Sequence, residues 1–205
     1  MKINKFISFE GVDFSGKTTQ INLLKEKLED LNFKVLVFRE PGGIEVAESI
    51  RDIILNNDYN ISKECEMLLF LSARAELVDK VIKPALDDDC FVICDRFIDS
   101  TLAYQGYGRK IDLNLINNLN SMVTKSIIPS KTFFLDIDVS LMSKRQNIKN
   151  NDRMENSGIN FFKNVRKGYL EILKNNNRFV KIDASKSIKH ISDEIWNEMN
   201  FFLGK

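Results

Sequence analysis

The feature that most constrains this chain is a glycine-bordered loop that follows an apolar run and precedes a helical pattern. The loop runs from Gly11 to Thr18 with the spacing G-x-x-x-x-G-K-[ST]. Its two glycines allow backbone angles that a side chain would resist, so the loop amides can turn inward and donate to phosphate oxygens. A helix beginning near Lys17 would add the positive end of its dipole. We therefore predict a phosphate-binding loop formed by Gly11, Val12, Asp13, Phe14, Ser15, Gly16, Lys17, Thr18 and Thr19.

Short apolar runs alternate with longer helical patterns along the chain. Strands are predicted over 6–9, 34–38, 91–94, 132–136 and 179–182. Helices are predicted over 17–31, 45–56, 62–87, 114–126, 141–149, 159–175 and 187–203. This alternation is typical of a three-layer α/β fold, here of the P-loop type, with a five-stranded parallel sheet flanked by helices. We expect one domain over 1–205, with its ligands at the carboxyl edge of the sheet.

The composition argues against several function classes. The net charge of +1 at pH 7 gives no global attraction for nucleic acid or an anionic membrane. No stretch is apolar and long enough to span a bilayer, and no signal peptide is apparent, so we expect a cytoplasmic protein. Its three cysteines (Cys65, Cys90 and Cys94) are interpreted as small buried thiols in a reducing compartment, not as a zinc site.

Two acids compete for the role of a magnesium ligand beside the glycine-rich loop. The Thr18 hydroxyl is suited to Mg²⁺, and an acid at the end of a buried strand is its usual partner. Asp95 and Asp136 both end apolar runs. We favour Asp95 because the adjacent Arg96 can engage a second phosphate, whereas Asp136 is expected to begin the next loop.

Charged and aromatic side chains follow the strands at places suited to ligand binding. Arg39 leaves the second predicted strand before a Pro-Gly-Gly turn, where it would face the phosphates. Phe70 and Arg74 share one helix face and could hold a nucleobase, although most such aromatics are core residues. The polar segment 143–156 carries Arg145, Lys149 and Arg153. It is either a solvated connection or a mobile lid that delivers a cation.

Taken in order, these motifs resemble the thymidylate kinase family, in its bacterial P-loop nucleoside monophosphate kinase form. The resemblance covers nearly the whole chain. Beyond the phosphate-binding loop it includes R-E-P-G-G at 39–43, F-x-x-x-R at 70–74, D-R-F at 95–97, A-Y-Q-G at 103–106 and D-R-x-E at 152–155. The ordered combination is far more specific than the loop alone. It implies transfer of a phosphoryl group from Mg²⁺-ATP to dTMP by a homodimer.

The resemblance also implies a role for each matching residue. Lys17, Thr18 and Asp95 would hold ATP and Mg²⁺, Arg145 would also contact ATP, and the loop at Asp183 and Ala184 would lie beside adenine. On the acceptor side, Arg39 and Arg96 would clamp the phosphate and Asp13 would contact the sugar. Phe70 would stack on thymine and Arg74 would bond its edge. The base and sugar pocket would be lined by Ser100, Thr101, Tyr104 and Gln105. Arg153 would be the catalytic cation of the lid.

Two departures from the family pattern concern that cation. Some members carry an arginine inside the phosphate-binding loop, where this chain has Phe14, so the lid must supply the charge. Gln146 and Ile148 stand where further arginines are usual, which leaves Arg145, Lys149 and Arg153 as candidates. A kinase for another nucleotide or deoxynucleoside, and a nucleotide-binding regulator without an acceptor site, are the alternatives to dTMP phosphorylation.

Overall fold

The central feature of the molecule is a parallel sheet. A computed structural model describes residues 4–145, 152–174 and 176–204. The strands of its five-stranded sheet are β1 (Phe6–Glu10), β2 (Val35–Arg39), β3 (Phe91–Asp95), β4 (Lys131–Asp136) and β5 (Phe179–Asp183), in the order β2-β3-β1-β4-β5. All four pairings are parallel. The predicted α/β fold class and its five strands are confirmed.

Helices connect these strands. The α-helices of the described residues are α1 (Lys17–Asp30), α2 (Glu45–Leu55), α3 (Lys63–Leu77), α4 (Lys83–Asp87), α5 (Ile98–Thr101), α6 (Leu113–Val123), α7 (Val139–Arg145), α8 (Ile159–Lys174) and α9 (Ile188–Phe202). A π-helical segment (Val78–Ile82) joins α3 to α4, so the helix predicted over 62–87 is continuous but changes its winding. The helix predicted over 141–149 begins earlier, at Val139, and its end lies outside the described residues.

One helical region was absent from the sequence prediction. After β3 the chain forms α5 and continues as a second π-helical segment, Leu102–Gly108. Two glycines in this stretch oppose helix formation locally. Packing against α8 compensates, since a Cβ on Gly168 would lie only 2.7 Å from the Tyr107 ring. The close approach of the two elements, which no local pattern encodes, therefore fixes this helix.

Alternate residues of the central strands pack into different cores. Ile7 and Phe9 of β1 join the larger apolar cluster, whereas Phe6 points to the other face and joins a second cluster. On β3, Ile93 belongs to the larger cluster and Val92 to the second. Side chains of a strand alternate between faces, so both sides of the sheet are covered, as the three-layer arrangement requires.

Strand register brings polar side chains to one edge of the sheet. Asp95, the last residue of β3, is the register partner of both Arg39 on β2 and Phe9 on β1. Asp136 and Asp183 are partners at the ends of β4 and β5. The carboxyl ends of these strands therefore present arginine and carboxylate groups side by side.

The three cysteines are free, but their environments differ. Cys90 and Cys94 are buried, as expected. The expectation was wrong for Cys65, which is exposed because it lies on the solvent side of the first turn of α3. Within the described residues, none of the helices has the length and apolar character needed to cross a membrane.

Candidate active site

The phosphate-binding loop has the geometry that its sequence predicts. Gly11 adopts φ +140°, and a Cβ there would lie 2.6 Å from the Leu135 carbonyl oxygen, so both backbone angle and space require glycine. The Ser15 hydroxyl is buried without a hydrogen-bond partner among the described residues. Such an orphaned group inside the loop is available to a phosphate oxygen.

Lys17 lies folded over the same loop. Its Nζ donates to the carbonyl oxygens of Gly11 and Val12 at 3.2 and 3.1 Å. Burial, followed by the positive charge of Arg96, lowers the pKa of Lys17, and the nearby carboxylates of Asp95 and Asp13 act against this. A buried ammonium group that donates its hydrogen bonds to neutral carbonyls is well placed to exchange them for phosphate oxygens.

Thr18 and Asp95 form the candidate magnesium site. The Thr18 hydroxyl donates to Asp95 Oδ2 at 3.2 Å, and Lys17 Nζ lies 4.0 Å from Asp95 Oδ1. A hydroxyl and a carboxylate are the hard oxygen donors that Mg²⁺ prefers. No cluster of three or more His, Cys, Asp or Glu suited to a metal occurs in the described parts of the chain. The pair of Thr18 and Asp95 therefore fits Mg²⁺, which needs few protein ligands because it keeps several water molecules and binds substrate phosphates.

The rival acid is engaged elsewhere. Asp136 accepts from Arg166 Nε at 2.7 Å and lies 3.1 Å from Lys181 Nζ. It is the last residue of β4, and the capping of α7 falls to Asp138, whose Oδ1 accepts from the Ser140 amide at 2.9 Å. With two cations as partners, Asp136 has less need of a metal than Asp95.

Arg96 links the phosphate-binding loop to the helix after β3. Its Nη1 donates to the Gly11 carbonyl oxygen at 2.7 Å, its Nη2 donates to Asp13 Oδ1 at 2.5 Å, and its guanidinium lies 4.9 Å from the centre of the Tyr104 ring. The residue adopts φ +73°, a strained conformation for a side chain of this size. Strain of this kind persists where surrounding contacts over-determine it, often at functional sites.

Glu10 holds the turn after β3 through hydrogen bonds, and sequence reasoning missed this residue. Its Oε1 accepts from the Phe97 amide at 2.8 Å, and its Oε2 accepts from the hydroxyls of Ser100 and Tyr169 at 2.6 and 2.8 Å. Burial and the charge of Asp99 raise the pKa of Glu10 to about 7. A glutamate that ends a fully buried strand in a P-loop protein was the available sequence signal.

Asp13 and Tyr104 meet beside Arg96. The Tyr104 hydroxyl donates to Asp13 Oδ2 at 3.3 Å. Burial acts to raise the pKa of Asp13, but the charges of Arg96 and Lys17 outweigh it and hold this pKa below its usual value. Asp13 is therefore an ionised acceptor at neutral pH.

Two adjoining cavities open at this edge of the sheet. The first, about 930 Å³ including its open mouth, follows the phosphate-binding loop and is lined by Lys17, Thr18, Asp95 and the cations Arg39, Arg51, Arg96 and Arg145. The second, about 550 Å³, is lined by Phe70, Arg74, Ser100, Thr101, Tyr104 and Gln105. Asp13, Glu40, Arg51 and Arg96 line both. The two cavities therefore meet at a cationic junction.

Arg51 lines both cavities at that junction, and Arg39 lines the first cavity. Arg39 Nη2 donates to the Glu48 carboxylate at 3.2 Å, and more than half of its side chain is exposed. Arg51 Nη1 donates to the Pro41 carbonyl oxygen at 3.0 Å. Burial and the charge of Arg39 lower the pKa of Arg51. Sequence reasoning missed Arg51, because nothing local separates it from other polar residues of α2.

Arg74 is more deeply built into the protein than expected. It is buried, and its Nε donates to Glu40 Oε2, its Nη1 to Thr101 and its Nη2 to the Phe97 carbonyl oxygen, at 2.8, 2.8 and 3.0 Å. Each guanidinium nitrogen thus has a protein acceptor. Arg74 does line the second cavity, and its contact with a base stays a prediction.

Arg145 and Arg153 have different partners at the site. Arg145 Nη1 donates to the Phe14 carbonyl oxygen at 3.2 Å and its Nη2 to that of Ala184 at 3.1 Å, so it bridges the phosphate-binding loop and the segment after β5. Arg153 Nη1 instead donates to Glu66 Oε2 at 2.7 Å, beside the second cavity. A role for Arg153 at the transferred phosphate would require its release from Glu66.

The remaining predicted residues have simpler positions. Asp183 Oδ1 accepts from the Ser185 amide at 3.0 Å, at the end of β5. Lys149 and residues 146–151 of the predicted lid (143–156) lie outside the described residues. Site residues to which sequence reasoning gave no role include Glu10, Glu40, Arg51, Glu66 and Met154.

Comparisons with known proteins agree with this architecture. The sequence model of the thymidylate kinase family matches residues 9–195. Thymidylate kinase of Thermosipho africanus is 46% identical over 190 residues, which are 93% of this chain and 94% of that protein. Thymidylate kinase of Kosmotoga olearia is 42% identical over 203 residues, 98% of this chain and 97% of that protein.

A solved structure extends the likeness to the fold. The crystal structure of thymidylate kinase from Ehrlichia chaffeensis superposes with a TM-score of 0.80 at 37% identity, covering 96% of this chain and 98% of that chain. Sequence and fold agree over nearly the full length, and the chain therefore belongs to the thymidylate kinase family.

Proposed function

We propose that this protein transfers the γ-phosphoryl group of ATP to the phosphate of dTMP, giving dTDP for nucleotide biosynthesis. The observation that carries the proposal is the pair of adjoining cavities that share Asp13, Arg51 and Arg96. One cavity contains the phosphate-binding loop and the other an aromatic side chain, Phe70, with polar groups around it. A donor in the first and an acceptor in the second would meet with their phosphates at the shared cations.

The acceptor phosphate is already an anion, so the reaction needs no strong base. The obstacle is repulsion between two polyanions, and the protein's task is to offset it while holding the reacting atoms in line. Lys17 and the loop amides would bind the donor, and Arg39, Arg51 and Arg96 would bind the acceptor phosphate. Arg51 and Arg96 line both cavities, and Lys17 and Arg39 line the first. Cations held in place by the protein limit reorganisation in the transition state.

Magnesium would be held by the Thr18 hydroxyl and Asp95, directly or through water. When bound, it supplies positive charge to the donor phosphates. The hydrogen bond between these two side chains would be exchanged for metal contacts.

The lid cation would be Arg145, Arg153 or Lys149, of which the first two lie among the described residues. Arg145 already contacts the phosphate-binding loop, whereas Arg153 was expected from the family resemblance and is paired with Glu66. Arg145 and Ala184 would lie near the adenine of ATP. Among the acceptor contacts, Phe70 would stack on thymine, and Tyr104 would crowd the place of a ribose 2′-hydroxyl.

The test is ATP-dependent phosphorylation across nucleoside monophosphates and nucleosides. We expect dTMP to be the preferred acceptor, with deoxynucleosides inactive. Preference for another monophosphate would support the alternative of a different nucleotide kinase. ATP binding without transfer to any acceptor would support a nucleotide-binding regulator, which has no use for the arginines of the second cavity.

We further propose that two copies form a homodimer through α2, α3 and α6. These helices pack side by side, with α3 between the others. Their outer faces expose large apolar side chains, namely Val46, Ile53, Leu68, Leu115 and Met122. Apolar residues on adjacent helices are typical of a protein interface. A cytoplasmic location, with free thiols in a reducing compartment, completes the proposal.

A further inference from the structure

A buried carboxylate, Glu66, lies behind the second cavity and is saturated by hydrogen bonds. Only 1% of its surface is exposed. Its Oε1 accepts from Gln105 Nε2 and Arg109 Nε, both at 3.0 Å. Its Oε2 accepts from Arg109 Nη2 at 3.0 Å and Arg153 Nη1 at 2.7 Å. Burial acts to raise the pKa of Glu66, but the bonds from Arg109 and Gln105 prevail and lower it, so the group is ionised at neutral pH.

The charge of Glu66 dictates which way the Gln105 amide faces. A carboxylate can only accept hydrogen bonds, so the NH₂ of the amide must point toward it. The carbonyl oxygen of Gln105 then points away from Glu66. Gln105 lines the second cavity, and no hydrogen bond among the described residues uses that oxygen. The bond from Gln105 to Glu66 therefore leaves the carbonyl oxygen of Gln105 as the end of the amide that can accept a hydrogen bond from a ligand in the cavity.

We propose that Glu66 is a positioning residue for base specificity, which holds the Gln105 carbonyl oxygen toward the ring edge of the bound pyrimidine. The inference rests on the proposed function. Thymine presents an N3–H donor at this edge, whereas cytosine presents an N3 lone pair. An acceptor fixed in the cavity bonds the first and repels the second. A free amide would rotate to suit either base, because its two ends differ only in donor and acceptor character.

The discriminating pair of variants is Glu66→Gln and Arg109→Gln. Glu66→Gln keeps the side-chain shape but removes the obligatory acceptor, so the Gln105 amide can rotate. Arg109→Gln removes a partner of the same carboxylate and leaves the bond between Glu66 and Gln105. Both loosen the cluster, and only the first frees the amide.

The measurements are kcat/KM for dTMP and the inhibition constant of dCMP, with KM for ATP and thermal unfolding as controls. We express the preference for dTMP over dCMP as the product of kcat/KM for dTMP and the inhibition constant of dCMP. For Glu66→Gln we expect this preference to fall about tenfold, because one hydrogen bond to the base is worth about that factor. For Arg109→Gln the preference should stay within about twofold of wild type. Gln105→Leu, which lacks the acceptor, should also lose the preference and serves if Glu66→Gln does not fold.

The outcomes separate this inference from the proposed function. An unaltered preference in a folded Glu66→Gln variant, or in Gln105→Leu, overturns the role of Glu66 while leaving dTMP phosphorylation intact. An equal loss of preference in Arg109→Gln overturns it too, because general loosening would then explain the effect. A wild-type protein that does not phosphorylate dTMP rejects the proposed function and this inference together.

Discussion

Arg96 and Asp13 form an ion pair across the junction of the two cavities, with Nη2 of the arginine 2.5 Å from Oδ1 of the aspartate. The pair joins the turn after β3 to the phosphate-binding loop. A single guanidinium therefore touches the loop that would hold the donor and lines the cavity that would hold the acceptor.

Replacing Arg96 should impair catalysis more than folding. We expect Arg96→Ala to lower kcat about a hundredfold, because removing one preorganised donor at a transition state costs about 3 kcal/mol. Steady-state kinetics and thermal unfolding measure the two effects separately. Arg166→Ala is the control, since Arg166 is also ion-paired but lies outside both cavities. Near-normal turnover in a folded Arg96→Ala enzyme would refute the assignment.

Phe70 should contribute to binding of the acceptor and not of ATP. Its side chain lines the second cavity and is partly buried against the core. We expect Phe70→Ala to raise KM for dTMP about tenfold with KM for ATP little changed, since base–aromatic stacking is worth roughly 1–3 kcal/mol. Leu69→Ala, a neighbouring truncation that does not line either cavity, is the control. If both KM values rise together, Phe70 is simply a core residue.

The dependence on Mg²⁺ should identify the metal ligand. We expect Asp95→Asn to raise the half-saturating Mg²⁺ concentration by about tenfold or more, because a neutral amide binds a hard cation less well than a carboxylate. Activity should vanish with a chelator in both enzymes. Asp136→Asn tests the rival acid and should alter stability without changing the Mg²⁺ titration. The reverse pattern would make Asp136 the ligand.

Glu10 should make stability depend on pH. Burial and Asp99 raise its pKa from 4.5 to about 7. The folded state therefore binds this proton more tightly than the unfolded state, and the contribution of Glu10 is full below pH 4.5 and is lost as the pH rises through 7. As the pH rises over this range, wild type should lose about 3 kcal/mol of its free energy of unfolding relative to Glu10→Gln, whose side chain does not titrate.

Urea unfolding from pH 4.5 to 8 measures this difference. Glu26→Gln, on an exposed part of α1, controls for the loss of a surface carboxylate. A difference between Glu10→Gln and wild type that stays constant with pH would mean that Glu10 does not titrate in this range.

The proposed dimer should be sensitive to charge on α6. Met122 is 67% exposed on the outer face of that helix. We expect Met122→Glu to shift the protein from dimer to monomer, because dimerisation would bury an unpaired charge. Light scattering during gel filtration measures the mass. Phe201→Glu is the control, as Phe201 is 82% exposed on α9, away from the proposed interface. A monomeric wild type would contradict the proposal.

Local chemistry was sufficient to predict the phosphate-binding loop and the strands of the sheet. The loop from Gly11 to Thr18 depends on glycine freedom and short-range spacing, and both are written in consecutive residues. The inner strands β1, β3 and β4 followed from apolar runs, because a strand covered on both faces must be mostly apolar. Asp95 was preferred over Asp136 from its neighbour alone, and the structure places it beside Thr18.

The sequence by itself determined the fold class, the phosphate-binding loop and the edge of the sheet where ligands would bind, since these depend on periodicity and strand order. Only the tertiary structure decided which side chains face one another across that edge. Glu10 meets the turn at Arg96, and Glu66 meets Gln105, through contacts 87 and 39 residues apart in the chain. Such pairings depend on strand register and helix packing, which bring distant residues within hydrogen-bond distance and leave no local pattern.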